Sequence, residues 1–256
     1  MPYVTIDGLK YHYSARLPVD REPEQAVVFI HGSGGSHLLW ESQINYLGRE
    51  FLAIAVDLPG HGNSGGTPLG TIEGYSEFIS AFSECVIGFP FFLAGHSMGG
   101  AVALDFALNY QDRLAGLILI GTGSRLRVLP AVLEQFGNGV VPEDLPALMY
   151  RKGAPEAVIK AARQDMENAG PAVFYSDMTA CDKFDVGGRL GEIDLPALAV
   201  TGDQDKMTPV KYSQFLAENL KRGYYEVIEE AGHMLMLEQP GKLNTAISNF
   251  LMKYCR

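Results

Sequence analysis

A chain of 256 residues, 47% apolar and 20% charged, can bury a large core and fits one domain with an insertion as well as two domains. Its formal net charge of −10 argues against nucleic-acid binding and against docking on an anionic membrane, since both need a positive face. An anionic substrate stays compatible with that charge, because a local arginine can hold one.

The opening MPYVTIDGLKYHY alternates apolar and polar residues. It lacks the basic segment and long apolar run of a Sec-type signal. No stretch reaches the roughly 18 apolar residues of a spanning helix. Cys85, Cys181 and Cys255 are odd in number and have no metal-like spacing, which suits reduced thiols. The expectation is a cytoplasmic protein, monomer or homodimer, with a small-molecule substrate and neither nucleic acid nor membrane as partner.

Two strands are predicted first, over 3–6 and 9–14, joined by Asp7-Gly8, a pair that supplies the positive φ of a tight hairpin. A strand over 26–30 runs into HGSGG, a helix over 38–47 follows, and a strand over 51–56 ends in DLPGHGNSGG. Helical spacing over 73–87, a strand over 91–94, a helix over 99–110 and a strand over 114–120 come next. From about Ser124 to Arg189 the rhythm changes to helix-length segments punctuated by Pro130, Pro142, Pro146, Pro155 and Pro171. It resumes with a strand over 197–201, a helix over 209–220, a strand over 224–228 and a helix from Pro240. Apolar strands alternating with amphipathic helices predict an α/β fold, a parallel sheet covered on both faces, with ligands beyond the carboxyl ends of its strands. Residues 1–123 and 190–256 form the expected core, and 124–189 an inserted helical cap.

Gly95-His96-Ser97-Met98-Gly99 matches G-x-S-x-G and lies between a strand and a helix, where a strained turn exposes the serine Oγ beside a helix N-terminus. A serine needs a general base. Of the six histidines, His12 lies in the hairpin and His37 at the start of a polar turn. His31 and His61 precede loop glycines and read as structural, and the His96 side chain should point away from Oγ. His233, after the last strand, can reach back over Ser97. The acid must follow a strand too. Gly121-Thr122-Gly123-Ser124 offers none, whereas Gly202-Asp203-Gln204-Asp205 offers two. Asp203 sits close to the strand end, where it can bond the turn, so Asp205 is the choice. The order Ser, Asp, His is the one this architecture requires.

His31-Gly32-Ser33-Gly34-Gly35 should lie beside the serine, with the N–H groups of Ser33 and Met98 as oxyanion donors. Asp57 to Ser64 reads as a turn without a catalytic role, and no metal-ligand motif is present. Together HGSGG, DLPGHGNS, GHSMGG, GDQDKMTP and AGHMLMLEQP resemble the α/β-hydrolase superfamily, in its capped, esterase-like branch, from about residue 27 to the C-terminus.

The resemblance implies an eight-stranded, mostly parallel sheet with a helical lid. It also implies hydrolysis through an acyl-enzyme without a cofactor, the nucleophile, acid and base falling on Ser97, Asp205 and His233. Dehalogenases and epoxide hydrolases of this fold carry Asp where this chain has Ser97. Plant-type hydroxynitrile lyases carry a lysine where it has Met234. Gly32 and the cap residues Tyr150, Phe174, Tyr175 and Met178 are candidates for the substrate pocket. The same triad would also serve a C–C bond hydrolase or a cofactor-free haloperoxidase, and the same pocket a ligand-binding receptor.

Overall fold

In the computed structural model, which describes residues 2–20 and 22–255, the chain opens with the expected hairpin. Asp7 and Gly8, with φ of 49° and 81°, join β1 (Tyr3–Ile6) to β2 (Leu9–Arg16). β2 pairs antiparallel with β4 (Leu52–Val56), and the remaining pairings are parallel through β3 (Ala26–Ile30), β5 (Phe91–His96), β6 (Leu114–Ile120), β7 (Pro196–Gly202) and β8 (Arg222–Ile228). The eight strands lie in the order β1-β2-β4-β3-β5-β6-β7-β8. β5 outruns its apolar stretch because Gly95 and His96 still pair with Leu119 and Ile120. β8 starts two residues early because Arg222 pairs with Pro196.

Every residue of β3 and β5 is buried, as strands covered on both faces must be. One face is packed by α2 (Ile72–Val86), α3 (Met98–Asn109) and α8 (Val210–Asn219), the other by α1 (Glu41–Leu47) and α9 (Pro240–Tyr254). α3 is apolar nearly all round because it is enclosed between the sheet and α2. Its first turn approaches closely. A Cβ on Gly99 would strike the carbonyl oxygens of Ile30 and His31, and one on Gly100 would strike the Thr122 side chain.

Between β6 and β7 stand α4 (Pro130–Gly137), α5 (Leu145–Leu148), α6 (Glu156–Ala169) and α7 (Pro171–Lys183). Proline occupies the first turn of α4, α5 and α7, where its missing N–H costs nothing. These helices share a small core of Phe136, Leu145, Met166 and Phe174. The segment leaves and rejoins the sheet through one neck, where Val186 N donates to Ser124 O at 2.8 Å and Arg125 bridges Asp185. Among the described residues no helix is long and apolar enough to cross a membrane.

Candidate active site

Ser97 stands between β5 and α3 with φ 53° and ψ −116°. A non-glycine residue there costs on the order of 1–3 kcal/mol and persists only where its surroundings impose it. Here they do. Ser97 N donates to Ile120 O at 3.0 Å, and Thr122 Oγ1 donates to Ser97 O at 2.8 Å. A Cβ on Gly95 would overlap the Gly99 carbonyl, so the strand-to-helix turn closes only on small residues. Met98 opens α3, and its N–H belongs to the unpaired donors of a helix start.

Two strands away, Asp205 follows β7, and His233 follows β8. The Asp205 carboxylate accepts from Met207 N and Thr208 N at 2.9 Å each, from Thr208 Oγ1 at 2.7 Å and from His233 Nδ1 at 2.9 Å. Burial alone would raise its pKa. The His233 charge and hydrogen bond, with the Thr208 donors, outweigh burial and hold the carboxyl below the usual range. With Nδ1 committed to Asp205, Nε2 is the free nitrogen of the ring. Ser97 and His233 wall the same cleft. Among the described residues no hydrogen bond joins them, as is common between catalytic groups of an unliganded site.

His96 lines the same cleft. Its Nε2 donates to the His233 carbonyl at 3.0 Å, and its ring lies 4.6 Å from that of His233. Burial, then the neighbouring His233, pushes the His96 pKa well below the ordinary value, so it stays neutral and does not oppose a charge on His233. The His233 loop is also clamped to the segment before α6: Met234 N donates to Met149 O at 3.0 Å, while Glu238 accepts from Gly232 N at 2.6 Å and Arg151 N at 2.9 Å.

The loop after β3 brings Gly32 and Ser33 against the serine. A Cβ on Gly32 would come within 3.2 Å of Ser97 Cβ and 3.0 Å of His96 Nδ1. Gly34 N donates to Asp177 Oδ2 at 2.9 Å and Gly35 N to Gly32 O at 3.1 Å, while among the described residues the Ser33 N–H has no partner. Cys181 Sγ lies 4.0 Å from Ser33 Oγ, but burial and then Asp177 push its thiol up to about 12, so it is no thiolate.

Residues 27–246 match the alpha/beta hydrolase family. The chain belongs to that family. A solved thermophilic esterase is 30% identical, with TM-score 0.86 over 99% of this chain and 98% of its own. A thermophilic esterase from Thermogutta terrifontis, solved with malate bound, is 26% identical, with TM-score 0.88 over 100% of both chains. 3-oxoadipate enol-lactonase 2 of Acinetobacter baylyi is 26% identical over 98% of this chain and 96% of its own. Protein ABHD8 of Mus musculus is 28% identical over 90% of this chain, which spans only 56% of that longer protein.

In this alpha/beta hydrolase the cleft over Ser97 holds about 710 Å³ of protein-free space, its open mouth included. Its wall is largely apolar. Of the candidate substrate residues, Gly32, Tyr150, Phe174 and Met178 line it. Tyr175 does not, and that expectation is corrected. Phe174 turns inward onto Gly34 and stacks on Phe136 at 5.1 Å, so its helical neighbour, about 100° further round, faces out with 47% exposure.

Sequence reasoning missed two buried carboxylates. Asp177, on α7, accepts from Gly34 N, from His61 Nε2 at 2.8 Å and from Tyr75 Oη at 2.7 Å. It binds the inserted helices to both glycine-rich loops, and so engages His61 of the segment read only as a turn. Asp57 gathers His12 Nδ1 at 2.8 Å, His37 Nδ1 at 2.9 Å and Asn63 N at 3.0 Å. The ligand-type atoms of His12, His37 and Asp57 lie within 4.8 Å of one another. The Asp57 carboxylate accepts from both imidazoles and so cross-links β2, the turn before α1 and the end of β4.

Proposed function

We propose that this alpha/beta hydrolase is a serine hydrolase that cleaves a small-molecule carboxylic ester, thioester or lactone through an acyl-enzyme on Ser97, without a cofactor. The observation that carries the reading is the Asp205–His233 hydrogen bond at the edge of a cleft whose floor is a strained, glycine-flanked serine. The esterases and the enol-lactonase among its relatives support an ester or lactone carbonyl as the target.

In this reading His233 Nε2 takes the Ser97 proton as Oγ adds to the carbonyl carbon. The resulting oxyanion sits on the N–H groups of Ser33 and Met98, and Asp205 stabilises the imidazolium. The imidazolium then protonates the departing alkoxide or thiolate. Water repeats the cycle on the acyl-enzyme, releasing the acid and restoring Ser97. Residues 124–189 act as the cap that sizes the acyl pocket over the 1–123 and 190–256 core.

The test is steady-state turnover of p-nitrophenyl esters from acetate to decanoate by wild type and Ser97→Ala. Wild type is expected to hydrolyse the shorter esters, and the variant to lose about 10⁴-fold or more. Full activity in Ser97→Ala would overturn the mechanism.

A further inference from the structure

Ser97 is reached from two sides. Besides the apolar cleft, a narrow throat with about 430 Å³ of protein-free space, its open ends included, touches Ser97 between Leu126, Val128, Met178, Met207 and Tyr212. It shares Ser33, Ser97, Met178 and Met207 with the cleft. Arg127 and Tyr212 also line the throat, and those two residues line a wider surface vestibule with about 1110 Å³ of protein-free space, its open mouth included. The cleft, throat and vestibule thus meet wall to wall, with the proposed nucleophile where the first two join.

The vestibule is cationic on a chain whose net charge is −10. Arg125 and Arg127 come from the neck after β6, and Lys211 from the first turn of α8. The aromatic rings of Tyr212 and Phe215 complete the wall. Arg125 is partly engaged, its Nε lying 3.3 Å from Asp185 Oδ2. Among the described residues no carboxylate lies within 4.0 Å of Arg127 or Lys211, and the Lys211 ammonium rests 5.9 Å over the Tyr212 ring. The cleft has the opposite character: its wall carries Asp165 and neither lysine nor arginine. The side-chain charges on the two sides of Ser97 are thus opposite in sign.

We infer that the vestibule is a carboxylate-binding subsite, and that the preferred substrate is an ester or lactone with one apolar half and one half ending in a carboxylate. This rests on the serine-hydrolase reading for the position of the scissile bond. The apolar half lies in the cleft, the scissile carbonyl at Ser97, and the charged half passes through the throat to Arg127 and Lys211. Arginine holds a carboxylate through paired, charge-assisted hydrogen bonds, and the aromatic walls pack the methylene stem.

The experiment compares kcat/KM for matched charged and neutral esters. The pairs are mono-p-nitrophenyl glutarate against p-nitrophenyl butyrate, with the charge on the acyl half, and 4-(butyryloxy)benzoate against phenyl butyrate, with the charge on the leaving half. Wild type is expected to favour the charged member of one pair by about tenfold, a preference that shrinks in high salt. Arg127→Gln and Lys211→Gln should each reduce that ratio, whereas the remote surface variant Arg49→Gln should not. Calorimetric titration of Ser97→Ala with monobutyl glutarate provides an arm that needs no turnover. Binding that weakens about tenfold on adding Arg127→Gln is the expected result. A charged-to-neutral ratio of one or less in both pairs, or titrations indifferent to Arg127, would overturn the subsite. If no ester is hydrolysed at all, the serine-hydrolase reading fails, and the titration still decides whether the vestibule binds a carboxylate.

Discussion

Asp205 spends its whole acceptor capacity on Met207, Thr208 and His233, and so presents the imidazole in one tautomer and one orientation. Asparagine at this position keeps the size and loses that control, because its amide can offer His233 an N–H where an acceptor is required. Asp205→Asn is expected to lower kcat by about 10⁴-fold with a much smaller effect on KM, read by steady-state kinetics on a p-nitrophenyl ester. A drop confined to KM would remove Asp205 from the proposed triad. At this scale the candidate site is legible in sequence because each candidate directly follows an apolar run that must be a strand. Ser97 comes one residue after β5, Asp205 three after β7 and His233 five after β8. Asp177 has no such marker. Its partners Gly34, His61 and Tyr75 lie 143, 116 and 102 residues away, and nothing in the local pattern of α7 shows that one acid on it faces a buried cavity of donors. Tyr175 fails for the related reason that helical phase within a cap cannot be set before its contact face is known.

Between elements, the joint that matters most is α7 against the loop after β3. Asp177 bonds the Gly34 amide, and the Phe174 ring fills the space a Gly34 side chain would need, at a residue whose φ is 63°. The same helix therefore shapes the cleft and tenses the loop that carries the Ser33 N–H. Asp177→Asn leaves one of three buried donors unpaired or turned, at a cost of about 3 kcal/mol. It should lower Tm by several degrees and reduce kcat more than KM, because the oxyanion is held only in the transition state. Circular dichroism melts alongside Michaelis–Menten curves test this. A melting loss with unchanged kcat would reduce Asp177 to a purely structural clasp. Strand boundaries in the sheet were legible to within two residues, since apolar runs and pairing register coincide there. The inserted segment was legible as helix-length stretches broken by five prolines, of which Pro130, Pro146 and Pro171 stand in first turns, but its packing was not, because its core draws on residues scattered from Phe136 to Phe174.

For the molecule as a whole, buried histidines set the response to acid. Burial first, then His61, lowers the His31 pKa to about 4, and His96 is lowered as well. An unfolded chain binds those protons at about pH 6.5 and the folded one does not, so stability falls as pH drops below 6.5. Asp57 and Asp205 are both held below the usual carboxylate range, and their contribution disappears as pH falls through their depressed folded values. His61 runs the other way. Burial lowers it, the Asp177 bond more than compensates, and the net rise gives stability that is lost as pH climbs past its folded value. Thermal melts should therefore peak near neutrality, decline steadily from pH 6.5 to 4 and fall faster below. A flat profile between pH 7 and 5 would mean that His31 and His96 protonate without unfolding. The neck at Ser124 and Val186 bears on how such a protein can be rebuilt. Because 61 intervening residues leave and return one strand spacing apart, they form a cassette that can be exchanged without shifting the register of β6 or β7. A graft from another hydrolase needs two things: ends about 5 Å apart, and an acid placed where Asp177 meets the Gly34 amide.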